Sequence, residues 1–461
     1  MFSRCGSGVV WLLLVVAGAQ GFGQVSVLDS SFKIGPGAND VVDALVVQAD
    51  QRILVGGEFT SMGGCSNSYL ARLNADGSVD TSFNRAGQTD GAVQCLLQQP
   101  DGKVLVGGGF GRLLGHAQPA LARLLEDGSL DAAFDASATF NTNTWVYSMA
   151  LQDDGRLLVG YTEGGDLMSH IARVNTNGSP DLTFVCTNLI YGYVCAFLPQ
   201  PDGSVLFGGS IYARPTLFRL KPDGGLDDTF DVGLESSSVF SLIRQPSGQI
   251  LVGGLLKRTG ASNGVPLLRL NADLQWDESF KPDAFRWAAG AAGPASSALL
   301  LQPDGKIVVG GDFFEVGGYW RRHIVRFTPE GHVDGCFDPG LGLGGFEIVP
   351  VTALARQPDG RILVGGSFQG VDGVDSQFNL ARLLPQSGCD QIRVYLKGGS
   401  DTFAAATFPP RGITYLEVSD DLTNWQTVQT STNPYNGAYL FDNWFSMAAA
   451  PQAFFRARQE R

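Results

Sequence analysis

The sequence predicts an all-β fold made of seven equivalent four-stranded units, and three observations support this prediction. A ten-residue phrase close to QPDGKVLVGG occurs seven times, at intervals of 45 to 57 residues along the 461-residue chain. Each copy joins two short apolar runs through a tight turn, and a second turn follows in the same interval. The first run of each copy also holds a small residue at one fixed place. Four antiparallel strands repeated seven times, with small residues on the innermost strand, describe a seven-bladed β-propeller.

Residues 92–134 show how one unit is built. The run AVQCLLQ alternates between apolar and polar residues and ends at QPDG, and KVLVGG follows as a second strand. Pro presets φ, Asp tolerates the turn and Gly accepts a positive φ, so Pro-Asp-Gly predicts a tight hairpin. ALARLLEDGSLDAAF then supplies two more short strands around a second Asp-Gly turn. No helical period is present, so the unit reads as four strands.

Three copies depart from the pattern. Gln51 replaces the turn glycine in the first copy, Gly160-Tyr161 replaces Gly-Gly in the third, and Leu274 replaces the glycine of the second turn in the fifth. We expect looser turns in these copies.

The small residue of the first strand indicates that these strands crowd around a common axis, where a bulky side chain would collide with its neighbours. The seven residues are Ala44, Cys95, Ser148, Ala196, Ser241, Ala298 and Ala353.

An arginine is followed eight residues later by an aspartate in every unit. Across a hairpin with a three-residue loop these positions face each other, and such an ion pair contributes about 0.2–1 kcal/mol. Seven copies indicate a structural role and not seven active sites. The pairs are Arg72/Asp80, Arg123/Asp131, Arg173/Asp181, Arg219/Asp227, Arg269/Asp277, Arg326/Asp334 and Arg382/Asp390.

The pattern L-D-x-x-F predicts how the ring closes. Most units end with it, but the last unit reads RLLPQSGCD and lacks the phenylalanine, while LDSSF at 28–32 precedes the first unit. The simplest interpretation is that 28–32 supplies the outer strand of the last blade. The alternative is that the chain's own residues 390–396 form that strand, because Asp390 already fills the aspartate position.

The motif V-x-A-L…QPDGKILVGG-x-F…ARL-x-x-DGS-x-D-x-x-F resembles the delta-60 repeat family of secreted bacterial β-propellers, over residues 25–390. That family is defined by its repeat and not by a reaction. The resemblance therefore implies a fold and export, and no catalysis.

The two ends of the chain differ from the repeats. Residues 1–19 carry Arg4, an apolar run and Ala17-Gly18-Ala19, which predicts a secretory signal peptide and a secreted or cell-surface protein. Residues 391–461 lack the phrase and contain five or six short apolar runs, so we expect a small C-terminal β-domain. YLEVSDDLTNW followed by FFRAR resembles small C-terminal modules of exported bacterial proteins, which implies a role in surface attachment or sorting.

Charge and composition restrict the partners. The formal net charge of −13, without a basic stripe, argues against nucleic acid and anionic lipid. No later segment is long and apolar enough to span a bilayer, and we expect a monomer without a cofactor. Because export permits disulfides, Cys186 and Cys195 are the best candidate pair, and scattered histidines make a zinc site improbable.

The longer loops between second and third strands, and between blades, should lie on one face, which is the expected place for a ligand. Exposed aromatic residues there stack on sugars or anchor protein partners, although capping of the core beneath is the simpler role for each. The candidate binding residues are Trp145, Tyr191, Trp287, Tyr319, Trp320, Arg321, Arg322 and His323.

A calcium site is the weaker reading of the turn NADGSVD, in which Asn74, Asp76 and Asp80 are spaced somewhat like calcium ligands. The other copies change the first ligand position, which favours a turn with an ion pair.

No G-x-S-x-G, metal triad or P-loop is present, so no catalytic residue is assigned. Asp312, Glu315 and Glu347 are acidic residues on the loop face, where a solvated rim is their simpler role. The leading hypothesis is a secreted, non-catalytic propeller that binds a protein or glycan on its loop-rich face. The alternatives are a glycan-active hydrolase or lyase with carboxylates near the central channel, and a purely structural surface protein.

Overall fold

The structure is a computed structural model. It describes residues 28–385 except 84–88, 165–167, 188–189, 212–216, 236, 287–294, 336, 338, 340–342, 344–350 and 372–373, together with the backbone of seven strands outside this range. The chain divides into two compact units. In the described part of the chain, no helix is long and apolar enough to cross a membrane.

The larger unit contains seven three-stranded antiparallel groups with one strand order, in which the second strand lies between the first and the third. The groups of the third, fourth and fifth repeats are joined by short pairings into one nine-stranded sheet. The first strands are Val42–Val47, Val93–Gln98, Thr144–Leu151, Ile190–Pro199, Ser238–Arg244, Ala295–Leu301 and Val351–Arg356. The second strands are Ile53–Gly57, Val104–Gly108, Leu157–Glu163, Val205–Ile211, Ile250–Leu256, Ile307–Asp312 and Ile362–Val371. The third strands are Leu70–Leu73, Leu121–Leu124, Met168–Val174, Leu217–Leu220, Val265–Leu270, Ile324–Phe327 and Val374–Leu383. We number the blades 1 to 7 in this order.

Some of the loops between second and third strands contain short strands of their own. Ser61–Met62 pairs with Cys65–Ser66 in blade 1, and Arg112–Leu113 pairs with His116–Ala117 in blade 2. In blade 6, Glu315–Val316 pairs with both Tyr319–Trp320 and Phe285–Arg286. These elements lie on the loop-rich face, at the end where the first strands begin.

The seven blades form a ring, as the repeats predict. Each first strand contacts the next one around the ring, and the first strand of blade 7 contacts that of blade 1. At this last junction the Thr352 hydroxyl donates to the carbonyl of Val42 at 2.5 Å. The seven-bladed propeller is therefore confirmed.

The Gly-Gly pair that ends most copies of the phrase is explained by two close approaches. A Cβ on the first glycine would meet the next blade: on Gly56 it would lie 2.6 Å from Val93 Cγ1, and on Gly310 2.3 Å from Val351 Cγ1. A Cβ on the second glycine would meet a backbone carbonyl of its own blade near the start of the first strand, as at Gly57, where Val41 O would be 2.1 Å away. Both contacts leave no room for a side chain.

The fourth strand is much shorter than the sequence predicts. In blades 1 to 5 it reduces to one isolated bridge, such as Leu73 with Val79, beside the hydrogen bond from Asp80 N to Arg72 O (2.8 Å). The strand ends there because the Asp80 carboxylate accepts hydrogen bonds from the amide and hydroxyl of Ser82, which turns the chain.

The predicted arginine–aspartate pairs are confirmed in blades 1 to 5. The shortest nitrogen–oxygen distances in their ion pairs are 2.6 to 2.8 Å. In the sixth pair, Arg326 and Asp334 are both buried; Asp390 of the seventh lies outside the described residues.

Five of the seven arginines make two further contacts that the sequence does not reveal. Arg72 stacks over the ring of Phe83 at 4.7 Å, and its Nη1 donates to Asp127 O in the second turn of blade 2 at 2.5 Å. The same link between neighbouring blades is made by Arg123, Arg173, Arg269 and Arg382. The arginine therefore joins blades as well as strands.

The ring closes through the N-terminal segment, as the copy of the motif at 28–32 predicts. Leu28 forms a bridge with Leu383, and Asp29 N donates to Arg382 O at 2.8 Å. Arg382 Nε lies 2.8 Å from Asp29 Oδ2, and its guanidinium stacks over Phe32 at 4.5 Å. Residues 28–32 thus take the position that the fourth strand has in the other blades.

The turns of the deviant copies are not looser, contrary to expectation. Gln51 and Leu274 adopt φ values of 69° and 66°, in the region that glycine occupies in the other copies. Gln51 N donates to Gln48 O at 2.8 Å, as Gly102 N does to Gln99 O at 3.0 Å. The two flanking strands fix the turn, and the non-glycine residue accepts the strain.

The smaller unit contains the C-terminal strands, which form two sheets, and the predicted C-terminal β-domain stays a prediction. One sheet has the order Trp11–Val15, Phe454–Glu460, Gly412–Ser419, Gln426–Asn433. The other has the order Arg393–Lys397, Thr402–Thr407, Ala438–Phe445. The apolar segment of the predicted signal peptide thus pairs along the last strand of the chain, and the signal peptide itself stays a prediction.

The expected disulfide between Cys186 and Cys195 is absent, because both thiols are free. Cys195 lies in a first strand, where its thiol contacts the carbonyl of Tyr193, and burial raises its pKa. Cys65 and Cys95 are free as well.

Candidate functional site

The segment YWRRH, expected to be exposed, is largely part of the blade 6 core. Tyr319, Arg321 and His323 are 7%, 3% and 1% exposed. Arg321 N donates to Phe314 O at 2.7 Å, and the Arg321 guanidinium lies over the Tyr319 ring at 5.1 Å. The hairpin folds these side chains back onto the blade, so the prediction that they face a partner is wrong.

His323 has a backbone role. Its φ of 62° matches that of Ala120, which precedes the third strand of blade 2 at the same place. The imidazole Nδ1 lies 3.1 Å from Gly311 O, and burial lowers its pKa. A neutral, buried histidine at a turn position that alanine also fills is structural.

Two of the remaining candidates are partly exposed: Trp145 and Tyr191 are 38% and 48% exposed at the start of the first strands of blades 3 and 4. Arg322 is half-buried, with its guanidinium 5.7 Å from the centre of the Phe314 ring. Trp287 and the side chain of Trp320 lie outside the described residues.

The oxygens of the calcium candidate serve the turn instead. Asp76 Oδ1 accepts from the amide and hydroxyl of Ser78, and its Oδ2 lies 3.0 Å from Lys33 Nζ. Asn74 donates to the Ser78 hydroxyl, and Asp80 pairs with Arg72. Within the described residues, no group of three or more His, Cys, Asp and Glu side chains could hold a metal ion.

The acidic candidates of the loop face also stay separate. Glu315 Oε1 lies 3.5 Å from Arg286 Nε, and Asp312 Oδ1 lies 4.0 Å from His323 Nδ1. Glu347 lies outside the described residues.

A different set of residues surrounds the axis at the loop-rich end. Every first strand has a β-bulge at the same place, where one residue is inserted between the two that pair with the Gly-Gly region of the second strand. The inserted residues, which we call the bulge ring, are Asp43, Gln94, Tyr147, Cys195, Phe240, Ser297 and Thr352.

The bulge ring is open to solvent although its neighbours are not. All seven members are partly exposed, whereas the residue before each of them, such as Val42 or Val93, is fully buried. A first strand has its own second strand on the outside and a neighbouring blade on each face. We infer from this arrangement that the exposed part of each bulge residue lies toward the axis of the ring. Bulges re-aim side chains and are common beside functional sites.

Each predicted small residue directly follows a member of the bulge ring in the sequence but has different contacts. Ser148 donates its hydroxyl to Val194 O of the next blade at 2.7 Å, and the Cys95 thiol lies 3.8 Å from Val146 O. They are small because they lie between blades. The bulge residue, by contrast, takes seven different chemical forms, so the fold does not dictate its identity.

Asp43 is the ionisable group with the most unusual environment in the ring. Burial, and then the charges of Glu58 and Asp40, raise its pKa to about 7. Its Oδ2 is buried and accepts no hydrogen bond from the described part of the chain, and the same holds for Gln94 Oε1 in blade 2. Two neighbouring blades thus present acceptors that need a donor.

The raised pKa of Asp43 predicts a pH-dependent stability. The folded state holds this proton more tightly than the unfolded chain, so the stabilisation is complete below about pH 4 and is lost as the pH rises through about 7. Asp43→Asn removes the ionisation and should raise the unfolding free energy at about pH 8 by on the order of 2 kcal/mol, with little change at about pH 4. Urea unfolding at both pH values measures this.

Asp153→Asn is the matched control, because Asp153 is an exposed carboxylate in the turn between the first and second strands of blade 3. An equal effect of the two substitutions at alkaline pH would contradict the environment assigned to Asp43.

Solved structures with similar folds differ greatly from this chain. A protein of unknown function from Bacteroides caccae is 16% identical, with a TM-score of 0.35, over 62% of this chain and 92% of its own. A calcium-binding protein, regucalcin, from Agrobacterium tumefaciens is 13% identical, with a TM-score of 0.35, over 62% and 85%. An exo-beta-1,3-galactanase from Phanerochaete chrysosporium is 9% identical, with a TM-score of 0.28, over 84% and 94%. At these values the likeness says nothing about what this chain binds.

No curated protein matches the chain. A family model described as a domain of unknown function (DUF5122) beta-propeller matches it seven times, at residues 48–83, 99–134, 152–184, 200–230, 245–280, 302–337 and 357–388. Each match begins at the glutamine of one phrase, and together the matches cover more than half of the chain. The chain therefore belongs to the DUF5122 beta-propeller family.

Proposed function

We propose that this chain is an exported, non-catalytic binding propeller that holds a protein or glycan in the mouth of the axial channel on its loop-rich face. The observation that carries the proposal is the bulge ring, because the fold brings seven partly exposed and chemically different side chains around one axis. Arg4, the apolar run after it and the resemblance to secreted delta-60 propellers support export.

The bulge ring has two chemically distinct sides. Blades 3 and 5 contribute Tyr147 and Phe240, and Tyr193 of blade 4 packs against Tyr147 with ring centroids 5.0 Å apart. Blades 6, 7, 1 and 2 contribute Ser297, Thr352, Asp43 and Gln94. A site with apolar rings on one side and unpaired acceptors on the other suits a ligand that has both apolar faces and hydroxyl or amide donors.

The experiment replaces members of the bulge ring with serine, which blade 6 already carries there as Ser297. Gln94→Ser and Phe240→Ser should each weaken binding about tenfold, while the unfolding free energy changes by about 1 kcal/mol or less. Binding is measured by calorimetry against neutral oligosaccharides and against synthetic peptides. Leu182→Ser, in an exposed outer turn, is the control.

Binding of neither class of probe by the native protein would contradict the proposal and favour a purely structural role. Ring variants that bind as tightly as the native protein would contradict the assigned site.

A glycan-active enzyme is the second candidate, favoured by one observation. Asp43 has the raised pKa of a general acid, and its causes include the nearby carboxylates of Glu58 and Asp40. Binding is preferred because Asp43 is the only carboxylate in the bulge ring. Release of reducing ends from polysaccharides, abolished by Asp43→Asn, would establish the enzyme instead.

A further inference from the structure

The indole of Trp145 lies flat on the neighbouring blade. A Cβ built on Gly109 of blade 2 would lie 2.5, 2.6 and 2.7 Å from Trp145 Cδ2, Cε2 and Cε3. Three ring atoms at nearly equal distance mean that one face of the indole covers the glycine. The side chain is nevertheless 38% exposed. Trp145 is thus an aromatic surface supported from below by backbone.

The fold does not require either member of this contact. Immediately before the buried residue of the first strand, where blade 3 has Trp145, blades 2, 5 and 6 have Ala92, Ser238 and Ala295. The residue after the Gly-Gly region is glycine in blade 2 alone. The other blades carry Glu58, Thr162, Ser210, Leu255, Asp312 and Ser367 at that place. The aromatic residue and the glycine that makes room for it therefore occur together, at one junction of the ring.

Three tyrosines extend this surface along the mouth. Tyr193 of blade 4 occupies the place equivalent to that of Trp145, and Tyr147 packs against it. Tyr191, 48% exposed, is held by backbone pairing with Met168 across the junction of blades 3 and 4. Four aromatic side chains thus lie on two adjacent first strands, those of blades 3 and 4.

We propose that Trp145 is the stacking platform for a neutral pyranose ring of a glycan bound in the axial mouth. This inference rests on the proposed function and narrows its ligand to carbohydrate. A flat ring that backbone supports on one face matches the apolar face of a sugar, and the bulge ring offers polar side chains for the sugar's hydroxyl groups. The surface formed by Trp145 and the three tyrosines carries no charge of its own, which disfavours an ionic ligand.

The test uses variants that the other blades show to be compatible with the fold. Trp145→Ala copies Ala92 and Ala295, and should weaken binding of neutral oligosaccharides about tenfold or more. Gly109→Ser copies Ser210 and Ser367 and should weaken binding similarly, because its side chain displaces the indole without removing it. Trp145→Phe should retain most of the affinity. Calorimetry with gluco-, xylo- and galacto-oligosaccharides gives the dissociation constants, and Leu182→Ala is the control.

The outcomes separate this inference from the proposed function. Tight oligosaccharide binding that Trp145→Ala and Gly109→Ser leave unchanged, but Gln94→Ser weakens, would overturn the platform and leave the axial site standing. Binding of peptides and of no oligosaccharide would also overturn the platform alone. A native protein that binds neither class of probe would overturn both.

Discussion

Asp29→Asn is expected to destabilise the closing blade by about 3–5 kcal/mol, the usual effect of removing one partner of a buried ion pair. Asp29 is 3% exposed, and its Oδ2 lies 2.8 Å from Arg382 Nε and 2.9 Å from Arg361 Nε. Asparagine keeps the shape but leaves the buried Arg382 guanidinium without its described counter-charge, whereas Arg361 keeps its ion pair with Asp359. Because residues 28–32 are the only described segment in the outer position of blade 7, their detachment opens the ring.

The carboxylate form of Asp29 is the one that closes the ring. Burial alone would raise its pKa, but hydrogen bonds from Ser31 and the charges of Arg382 and Arg361 outweigh it, so the pKa lies below its usual value of 3.8. This stabilisation is present above the ordinary aspartate pKa and is lost as the pH falls through the lowered value. Acid should therefore open the ring as Asp29→Asn does.

Asp131→Asn is the matched control for the closing pair. Asp131 is equally buried and also meets two cations, Arg123 at 2.8 Å and Lys103 at 3.1 Å, but all three belong to blade 2. Limited proteolysis should cut Asp29→Asn near residues 28–32 under native conditions and spare Asp131→Asn. Equal resistance of the two variants at that segment would show that the N-terminal strand does not hold the ring closed.

The fold was predictable because its determinants are close together in the sequence. A Pro-Asp-Gly turn, alternation on both sides of it, and an arginine eight residues from an aspartate are all visible within one unit. Closure was predictable for the same reason, since LDSSF repeats a motif whose place in a blade is already known. None of these inferences needs knowledge of the neighbouring blade.

What the sequence did not reveal depends on partners about fifty residues away, or on backbone atoms. The second contact of Arg72 is a carbonyl in blade 2, and the Cβ position of Gly56 is filled by Val93. The bulge was missed because it changes the pairing and not the residue types. Its only trace is a freely varying residue between a valine, or a serine in blade 6, and a small residue.

YWRRH was misread for a related reason. Aromatic and charged residues in a loop suggest exposure, but a two-stranded hairpin turns Tyr319 and Arg321 toward the blade. Trp145, in contrast, was placed correctly on the loop face, while its support by Gly109 depends on the geometry of two blades.

Gly108→Ala should be among the most damaging single methyl additions in the protein, because it would block the bulge of blade 2. The new Cβ would lie 2.1 Å from Ala92 O and 2.9 Å from Val93 Cα, and neither is a side chain that can rotate away. The Ala92 carbonyl is fixed there by the hydrogen bond from Gly109 N at 2.9 Å. We expect a loss of about 3 kcal/mol or more, at the upper end of the overpacking range, seen as a lower urea midpoint.

Gly111→Ala is the control for this glycine, since its Cβ would meet its nearest neighbours, Asp90 and Thr142, only at 3.5 Å. Equal urea midpoints for the two variants would contradict the close approach. Blade 3 differs from the others, because Tyr161 takes the place of the second glycine there. In blades 1, 2, 4, 5 and 6 the glycine leaves room for the carbonyl that precedes the bulge, and the bulge is what brings a variable side chain to the axis.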